Sequence, residues 1–446
     1  MLSIKHIREN TEEVKTALAK KSVKPVLIDE VIALDKKQRD LQKIVEGYRA
    51  EQNTVSEEIQ RTADNGERNV KINQMQTLKT EIKKLEPELE KVSADLREIM
   101  LKLPNLPMAD VPVGKDESEN QVIRKWGEIP QFDFAPKDYL TLAEELDIID
   151  VKRAAKVSGA RFGYLKGAGA LLELSLTRLA FETIVPRGFS AVIPPVLIKE
   201  EMMRGMGYID RHEDREESYF LPEDKLYLVG TSEQSVGTLH AGEILNKDEL
   251  PKRYVAFSAC FRREAGSHGK DTKGILRVHQ FDKIEMLSLT TPEKSEEEHK
   301  LLLSLEEELM QKLGIPYRAL SICTGDLGNT AAKKYDIEAW MPGQNDGQGE
   351  YRETHSTSNT TDFQTRRLNI KYKDPGVPGL IGGGIIPVPP SLKYAHMLNG
   401  TGFAIGRMII AIIENYQQKD GSIRIPEVLQ PFMMGMEEIR SRASAL

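Results

Sequence analysis

The first hundred residues carry two long runs in which apolar side chains recur every three or four positions. The first run comprises Leu27, Val31, Leu34, Gln38, Leu41, Val45, Tyr48, Gln52, Val55 and Ile59. The second comprises Met75, Leu78, Ile82, Leu85, Leu89, Val92, Leu96, Ile99 and Leu103. Heptad spacing puts such residues on one stripe of a helix, and the Asn-Gly pair in TADNGERN (62–69) favours a turn between the runs. The pattern predicts an antiparallel helical hairpin that projects as an arm, each helix roughly 50 Å long.

The chain changes character after this hairpin. Pro87 lies inside the second run, where it is expected to kink the helix without breaking it, because the apolar stripe stays in phase. The proline-punctuated stretch LPNLPMADVPVGKDESEN (103–120) ends the helix, and from about residue 136 the pattern is mixed α/β with many glycines. The predicted organisation is a helical arm at 1–105, a linker at 106–135 and a second domain at 136–446.

Strict alternation predicts a strand in KRYVAFSACFRRE (252–264). One face carries Val255, Phe257, Ala259 and Phe261. The other face, which is expected to line a site, carries Ala256, Ser258, Cys260, Arg262 and Glu264. A returning strand on which Arg277, Phe281 and Glu285 share one parity completes a predicted antiparallel hairpin. Shorter strands are predicted at 333–341 and 363–372, and an apolar helix with one basic residue, Arg407, at 402–418.

The composition is that of a globular protein, with 39% hydrophobic and 29% charged residues and a net charge of −7. No stretch approaches the roughly 18 consecutive apolar residues of a membrane span, and MLSIKHIRENTEEV lacks a secretory core, so a cytoplasmic protein without a membrane role is expected. Cys260 and Cys323 are too few for a disulfide framework or a thiolate zinc site. The acidic balance argues against indiscriminate coating of nucleic acid, but residues 1–103, with 20 basic and 19 acidic side chains, permit an RNA contact.

The hairpin at 252–285 combines arginines, carboxylates and an aromatic ring, the groups that hold a nucleotide. The sequence has no GxxxxGK[ST] phosphate loop, and no helical pattern follows IGGGI (381–385). From these residues alone, an exposed salt-bridged hairpin and a dimerisation or scaffold role for the coiled coil both stay open. Arg407 on its apolar helix needs an anionic partner, either a substrate or a structural carboxylate.

Three motifs carry a resemblance to a known family. GFSAVIPPVL (188–197), FRREAGSHGKDTKGILRVHQFDKIE (261–285) and LNGTGFAIGRMIIAIIENYQQKDGSIRIPEVLQPFM (398–433) resemble, in order and spacing, the three motifs of class II aminoacyl-tRNA synthetases. In detail they are similar to those of the seryl-tRNA synthetase family. The similarity extends to the helical arm, VPVGKDESEN (111–120), GTSE (230–233) and TGDLGNTAAKKYDIEAWMPG (324–343).

The resemblance implies an α+β fold, in which an antiparallel coiled-coil arm precedes a class II catalytic domain, a six- or seven-stranded antiparallel sheet flanked by helices. It implies a homodimer built through the first motif. The implied reaction is ATP-dependent activation of L-serine to seryl-adenylate, followed by transfer to tRNA(Ser) and also to tRNA(Sec). The arm is expected to grip the extended variable arm of the tRNA across the dimer, by shape and backbone contacts.

The same resemblance assigns the nucleotide site. Arg262 is expected on the α-phosphate and the serine carboxylate, Glu264 on the adenine amino group, and Phe281 on the adenine ring. Arg277 and Arg407 are expected on the distal phosphates, with Arg262 and Arg407 as the catalytic residues. The remaining expected ATP contacts are Arg263, Val278, Glu353, Thr354, His355 and Ser356.

Glu353 and Ser356 in ETHS (353–356) are expected to supply oxygen ligands to Mg²⁺, which prefers oxygen ligands together with substrate phosphates. Without the resemblance they are merely polar strand residues. His355 is not needed as a metal ligand or base.

For serine, the resemblance assigns the ammonium group to Thr231 and Glu233, with Ser232 between them, although Thr231 is equally suited to capping a helix. Glu285 and Thr401 are expected to bind the hydroxyl group. Asn399 and Arg262 complete the serine-binding set. Such a site rejects alanine by ~10⁴ or more, because its buried polar groups would be left unpaired, and it rejects threonine by size.

One loop is expected to move during the reaction, and two other segments differ from the family pattern. The loop AGSHGKDTKG (265–274) is expected to change contacts between the two reaction steps. KDPGVPGLIGGGIIPVPPSLKYAH (373–396) is longer and richer in Gly and Pro than the family pattern, and TSNTTDF (357–363) has threonines where cysteines are frequent.

Two rival functions are weighed. Relatives that load a carrier protein generally lack the arm, which this chain has. A scaffold with an inactive domain would lose residues among Arg262, Glu264, Glu285, Glu353 and Arg407, and all are present.

Overall fold

A computed structural model describes residues 1–265, 273–375, 379–381, 384–386 and 390–441. The chain divides into two compact units, Met1–Leu106 and Pro107–Leu446. Most of the loop at 265–274 and part of the Gly/Pro-rich segment at 373–396 lie outside the described residues. Among the helices that are described, none is both long and apolar enough to cross a membrane.

Unit 1 is described throughout and consists of helices: α1 (Ile4–Glu9), α2 (Thr11–Ala19), α3 (Val26–Arg61) and α4 (Asn65–Lys102). Every position of the two apolar runs is buried or half-buried. Hydrogen bonds between α3 and α4 extend from Gln38–Ser93, at 2.9 Å, to Glu58–Lys71, at 2.8 Å, which is the register of an antiparallel pair. The predicted helical hairpin is therefore confirmed.

The turn between α3 and α4 is shorter than the predicted 62–69. Asp64 caps α4 by accepting a hydrogen bond from the backbone N–H of Glu67 at 2.8 Å, so that Asn65 and Gly66 already lie in the first helical turn. A capping carboxylate satisfies an N–H group that has no partner within the helix, which favours a start at this position over an Asn-Gly turn. Pro87 lies inside α4, which continues across it.

The first two helices were not predicted from the sequence. They bury Ile7, Val14 and Leu18, but they span only six and nine residues, too few for a clear periodic signal. They also explain a buried acid on α3. The Asp35 carboxylate accepts from Arg8 of α1 at 3.2 Å and from Arg39, one turn along α3, at 3.0 Å.

Unit 2 is mixed α and β. Its described helices are α5 (Tyr139–Glu145), α6 (Val151–Ser158), α7 (Ala168–Ile184), α8 (Glu200–Met206), α9 (His212–Glu216), α10 (Glu233–Val236), α11 (Ser295–Lys312), α12 (Gln344–Gly347), α13 (Phe363–Leu368) and α14 (Ile405–Asn415). Its described strands are β1 (Gln121–Trp126), β2 (Ile149–Asp150), β3 (Tyr164–Leu165), β4 (Ser190–Val192), β5 (Leu197–Lys199), β6 (Phe220–Leu221), β7 (Leu226–Leu228), β8 (Ile244–Asn246), β9 (Lys252–Phe261), β10 (Gln280–Thr290), β11 (Tyr317–Ser321), β12 (Lys333–Met341), β13 (Glu350–Asn359), β14 (Lys371–Asp374), β15 (Gly379–Ile381), β16 (Gly384–Ile386), β17 (Ser391–Tyr394), β18 (His396–Ala404), β19 (Ile423–Arg424) and β20 (Glu438–Ile439).

Within the described residues, the central sheet has eight strands in the order β1-β11-β12-β13-β18-β10-β9-β4, not six or seven. All neighbours are antiparallel except β4 and β9. The edge strand β1 comes from the segment predicted as a linker, 106–135. All six of its residues are exposed, so it shows no alternation by which the sequence could have marked it. The α+β fold class is confirmed.

The predicted hairpin is present as β9 and β10, and the two faces of β10 have different surroundings. Ile284 and Met286 face the large core shared with α7, α11 and α14. Leu287 and Leu289 face a smaller core on the opposite side. Because side chains alternate along a strand, Glu285 continues the second face, where that smaller core gives way to a cavity.

Three sequence predictions in this unit need correction. Residues 363–372, predicted as a strand, form α13 and then β14, because the Thr360 and Asp362 carbonyl groups accept the first turn bonds. The helix predicted at 402–418 begins only at Ile405, since residues 402–404 complete β18.

On β9, the residues Ala256, Ser258 and Cys260 are buried and do not line the cavity. Ala256 belongs to the smaller apolar core, which also contains Val236 of α10. Of the face expected to line the site, only Arg262 and Glu264, beyond the end of the strand, reach the cavity, and Phe261 of the other face also lines it.

Candidate active site

A cavity of about 650 Å³ opens on the sheet between β9, β10, β12, β13 and β18, the start of α14 and the chain around α10. Most of the predicted site residues line it: Thr231, Glu233, Arg262, Glu264, Arg277, Val278, Phe281, Glu285, Glu353, Thr354, Ser356, Asn399, Thr401 and Arg407. Three do not, namely Ser232, Arg263 and His355. The sheet therefore gathers residues that lie up to 176 positions apart in the sequence.

The residues outside the cavity have other surroundings. Ser232 is fully buried, and the Arg263 guanidinium lies 5.6 Å from the ring centre of Tyr219. His355 is buried behind the strand, with its Nδ1 2.9 Å from Thr354 Oγ1. Burial lowers the pKa of His355 to about 3, so the ring is neutral and lies away from the cavity.

A buried carboxylate and two hydroxyl groups define one end of the cavity. Glu285 of β10 lies directly opposite Thr401 of β18 and forms an ion pair with Lys283. The Lys283 ammonium group also donates to Thr231 Oγ1 at 3.3 Å. Burial raises the pKa of Glu285 to about 7 against the attraction of Lys283, and nearby Glu233 raises it further.

The Glu233 carboxylate is held at both oxygens. The Tyr208 hydroxyl donates to Oε2 at 2.8 Å, and the Gln364 side-chain amide donates to Oε1 at 2.9 Å. The backbone N–H of Glu233 donates to Thr231 Oγ1 at 3.3 Å. Thr231 thus has the local cap-like bond that its position suggests, while its hydroxyl also lines the cavity.

Arginines and an aromatic ring line the middle of the cavity. The Arg262 Nε donates to the carbonyl oxygen of Gly230 at 3.1 Å, and its guanidinium lies 5.2 Å from the centre of the Phe281 ring. Arg277 forms an ion pair with Glu264 at 3.1 Å. Since the hydrogen bond to Gly230 uses Nε, the terminal nitrogens of Arg262 are left to face a ligand.

Another part of the lining is built around Glu353. Arg407 Nη1 donates to the Glu353 backbone oxygen at 2.7 Å and lies 3.5 Å from its carboxylate. The Glu353 side chain is 48% exposed, and this exposure is to the cavity. Loss of hydration would raise its pKa, but Arg407, Lys334 and Arg262 outweigh this effect and hold the pKa at about 2.

Beneath Glu353 lies a second acid, Asp336, which pairs across the strands with Ser356. Lys334 donates to its Oδ2 at 2.9 Å. Burial raises the pKa of Asp336 to about 6 despite this lysine. Asp336 is 7% exposed, and its Oδ1 makes no well-formed hydrogen bond among the described residues, although the Ser356 hydroxyl is near enough to lower the Asp336 pKa.

These oxygens suit a hard cation only in combination with a ligand. Among the described residues, no three His, Cys, Asp or Glu side chains are arranged to hold a metal by themselves. Glu353 and Ser356 offer a carboxylate and a hydroxyl beside the cavity, next to the Oδ1 atom of Asp336. Mg²⁺ typically takes one or two carboxylates plus substrate phosphates, so the donor set fits that ion when a phosphate ligand is present.

Sequence reasoning missed five contributors to this site: Tyr208, Lys283, Lys334, Asp336 and Gln364. Lys283 was recoverable, because it shares the parity of Phe281 and Glu285 on β10. Lys334 and Asp336 share a parity on β12 in the same way. Tyr208 and Gln364 carry no such local signal, since they reach Glu233 from 25 and 131 residues away.

Comparison with family models defines the class of this protein. Residues 219–384 match the tRNA synthetase class II core domain (G, H, P, S and T), and residues 1–107 match the seryl-tRNA synthetase N-terminal domain. The protein is thus an enzyme, a ligase of the class II aminoacyl-tRNA synthetases.

Individual relatives narrow this class to one family. The chain is 44% identical to a serine–tRNA ligase of Dictyoglomus turgidum, over 99% of this chain and 100% of the relative. Its structure superposes on the Pyrococcus horikoshii seryl-tRNA synthetase complexed with ATP, at a TM-score of 0.88 and 40% identity, over 99% and 100% of the two chains. It also superposes on the cytoplasmic serine–tRNA ligase from Naegleria fowleri in complex with AMP, at 0.85 and 31%, over 99% of each chain. The chain belongs to the seryl-tRNA synthetase family.

Proposed function

We propose that this enzyme activates L-serine with ATP and transfers the seryl group to tRNA(Ser). One observation carries the proposal: a single cavity is lined both by Glu285 with the facing Thr401 and by the Arg407–Glu353 pair. An amino acid and a triphosphate would therefore bind side by side. The relatives solved with ATP and with AMP support the choice of nucleotide.

Serine is proposed to bind with its ammonium group on Glu233 and Thr231 and its hydroxyl on Glu285 and Thr401. Its carboxylate would lie against Arg262. Glu285 has one oxygen that is engaged with Lys283, and a hydroxyl ligand would use the remaining acceptor capacity of the carboxylate. Asn399, which lines the same end, completes the proposed serine contacts, and Ser232 would act only by holding Thr231 and Glu233 in place.

ATP is proposed to bind through the strand ends. Phe281 would stack on the adenine ring and Glu264 would accept from its amino group, while Arg262 would contact the α-phosphate. For the ring to stack, Arg262 must leave its position 5.2 Å from Phe281 or cover the other face of the base. Arg277 and Arg407 would contact the distal phosphates, with Val278 and Thr354 lining the cavity beside them.

Arg263 and His355 would support the nucleotide site from outside the cavity. Glu353 and Ser356 would hold Mg²⁺, which would supply positive charge to offset the negative charge of the triphosphate.

Activation needs no side-chain base, because the serine carboxylate is already an anion. A carboxylate oxygen bonds to the α-phosphorus, the bond from phosphorus to the bridging oxygen breaks, and pyrophosphate leaves. Arg262 and Arg407 align the reactants and stabilise charge on the phosphate oxygens, which is the work a preorganised site performs. The terminal hydroxyl of the tRNA then attacks the seryl carbonyl carbon, the bond from that carbon to the phosphate oxygen breaks, and AMP departs with the hydroxyl proton.

The helical arm, residues 1–105, is proposed to bind tRNA, and residues 136–446 to form the catalytic domain, with β1 extending its sheet from the intervening segment. The match of residues 1–107 to the seryl-tRNA synthetase N-terminal domain supports this assignment. Homodimerisation through the first motif is proposed as well. Within and just before the first motif, the apolar residues Leu174, Val185 and Ile193 are 64%, 40% and 76% exposed, and contact with a second subunit would cover such side chains.

Two extensions belong to the same proposal. Charging of tRNA(Sec) with serine follows if recognition depends on the variable arm and not on the anticodon. A cytoplasmic location is proposed as well.

The proposal is tested in two assays on the full-length enzyme. The first measures ATP–pyrophosphate exchange with each amino acid, where only serine is expected to stimulate it. The second measures charging of a transcript of tRNA(Ser) with its long variable arm, beside one whose variable arm is shortened. Exchange without charging of any tRNA would instead favour loading of a carrier protein, and absence of exchange would contradict the proposal.

A further inference from the structure

The carboxylate of Glu233 is unusually well fixed for a side chain that lines a cavity. Each of its oxygens accepts one hydrogen bond from a side chain on a different element, Tyr208 after α8 and Gln364 on α13. Gln364 is itself fully buried and donates to the Met206 carbonyl oxygen at 3.2 Å. The two donors therefore hold the carboxylate from both sides.

The Tyr208 hydroxyl and the Gln364 amide both donate hydrogen bonds, which suits a Glu233 side chain in its carboxylate form. Tyr208 offers one O–H donor, and burial together with the Glu233 and Glu285 carboxyl groups raises its pKa well above the usual 10, so it stays protonated as a donor. Each Glu233 oxygen retains a second acceptor site after these bonds. Because Glu233 and Thr231 both line the cavity, a cationic ligand group can use those remaining sites.

A purely structural role is the alternative. Tyr208 also packs beside two apolar clusters that include Met206 and Ile209. If packing were its whole role, loss of the hydroxyl group would affect every ligand of the cavity equally, or none. If the hydroxyl positions Glu233, its loss would affect only ligands that carry a group for Glu233 to bind.

We propose that Tyr208, together with Gln364, is a positioning residue that orients the Glu233 carboxylate to receive the ammonium group of the amino-acid substrate. This inference rests on the proposed function and deepens it. A carboxylate held before the ligand arrives loses less freedom on binding, and a hydrogen bond to a charged group contributes about tenfold in affinity. The Tyr208 hydroxyl, which belongs to a residue that also lines the cavity, thus contributes to recognition of an amino acid through Glu233.

The experiment compares two ligands on the full-length enzyme by titration calorimetry. One ligand is the sulfamoyl analogue of seryl-adenylate, which cannot be hydrolysed at that linkage, and the other is the same molecule without its amino group. The test variant is Tyr208→Phe. The matched control is Tyr372→Phe, which deletes a hydroxyl from a fully buried tyrosine that does not line the cavity.

Tyr208→Phe is expected to lower the affinity for the amino-bearing analogue about tenfold and to change the affinity for the deamino analogue less than twofold. Tyr372→Phe is expected to change neither. In exchange kinetics, Tyr208→Phe raises KM for serine and leaves KM for ATP unaltered. Gln364→Leu, which removes the other donor, is expected to give the same selective loss.

Equal weakening of both analogues by Tyr208→Phe, or no weakening of the amino-bearing one, overturns the positioning role. Failure of the fold in that variant would be visible as a lowered melting temperature, and Gln364→Leu then decides the same question. If the wild-type enzyme binds neither analogue, or binds them equally, the proposed amino-acid site itself is wrong. The two failures are therefore distinguishable.

Discussion

Arg407, at the start of α14, contacts Glu353 of β13 twice. Its Nη1 donates to the backbone oxygen at 2.7 Å and lies 3.5 Å from the carboxylate. The backbone bond fixes the guanidinium on the strand, so the arginine does not depend on the carboxylate for its position. On the proposed assignment, Arg407 would therefore keep its place on the strand when Glu353 turns to a metal ion.

Arg407→Lys is expected to lower the rate of serine activation by about 10²–10³, because lysine cannot reproduce the two contacts and still direct a donor at the phosphates. The rate is measured by ATP–pyrophosphate exchange. Arg440→Lys is the control, since Arg440 pairs with Glu438 away from the cavity and its replacement should leave exchange unchanged. An Arg407→Lys enzyme with full activity would remove this arginine from the catalytic machinery.

The raised pKa of Glu285 leads us to expect that kcat/KM for serine depends on pH. Its pKa is raised to about 7, so the carboxylate is largely protonated at pH 6 and largely ionised at pH 8. Only the ionised form pairs with Lys283 and accepts from the serine hydroxyl through either oxygen. kcat/KM for serine is therefore expected to rise between pH 6 and pH 8, while Glu285→Gln, measured over the same range, should be weakly active and show no such rise.

Glu306 of α11 predicts that stability depends on pH. It is fully buried behind the sheet, near the position that a side chain on Gly400 would occupy, and neither carboxyl oxygen makes a well-formed hydrogen bond within the described chain. Burial and the nearby Glu285 and Asp336 raise its pKa well above 4.5, against a weaker effect of the Thr401 N–H. A raised folded-state pKa contributes stability that is fully present below the unfolded value and is lost as the pH rises.

Glu306→Met is accordingly expected to increase the free energy of unfolding by about 1–3 kcal/mol at pH 8 and by less at pH 5, as measured by urea denaturation. Glu308→Met on the same helix is the control. Glu308 pairs with Arg187 and is partly exposed, so its loss should be neutral or slightly destabilising at both pH values. Equal effects of Glu306→Met at the two pH values would contradict a titrating buried carboxyl.

Lys334 and Asp336 form a pair whose combined replacement is expected to destabilise the protein less than the loss of Lys334 alone. Removal of the lysine in Lys334→Met leaves Asp336 buried without its cation, which is expected to cost about 1–3 kcal/mol of unfolding free energy. Lys334→Met combined with Asp336→Asn removes both charges and should recover most of that loss. If the double variant is as unstable as the sum of the two single variants, the pair is not coupled.

Substitutions in the helical arm are expected to affect charging of tRNA without affecting activation of serine. The structure gives Lys79 and Lys83 of α4 no ion pair within unit 1, whereas Lys84 pairs with Glu81. Lys79→Gln with Lys83→Gln is expected to raise KM for tRNA and to reduce its salt dependence by about one unit of slope per lost phosphate contact. Exchange activity should not change, and Lys84→Gln should alter neither. A double variant that charges tRNA normally would move the RNA contact off this part of the arm.

The sequence predicted the long elements and the motif-bearing strands, because their periodicities are local. The helical pair follows from heptads, and the β9–β10 hairpin from alternation that brings Phe281 and Glu285 to one face. The short helices α1 and α2 and the exposed strand β1 escaped, since six to nine residues without a regular apolar pattern carry little signal.

Within the site, residues were predictable where a motif or strand parity fixed them. Tyr208 and Gln364 were not, because what brings them to Glu233 is the packing of three helices that are distant in sequence. Cys260 shows the opposite error. It has the parity of a site residue on β9, yet its face is covered, and burial raises the pKa of its thiol to about 11.

The most direct test of the account compares kcat/KM for serine with that for alanine in ATP–pyrophosphate exchange, for the wild-type enzyme and for Glu285→Ala. The account predicts a preference for serine of ~10⁴ or more in the wild type, because alanine leaves the Glu285–Thr401 pair without a hydroxyl partner. That preference should fall to within about tenfold in Glu285→Ala, where the buried acceptor is gone. A wild-type enzyme that uses alanine nearly as well as serine, or a preference that survives in Glu285→Ala, would contradict it.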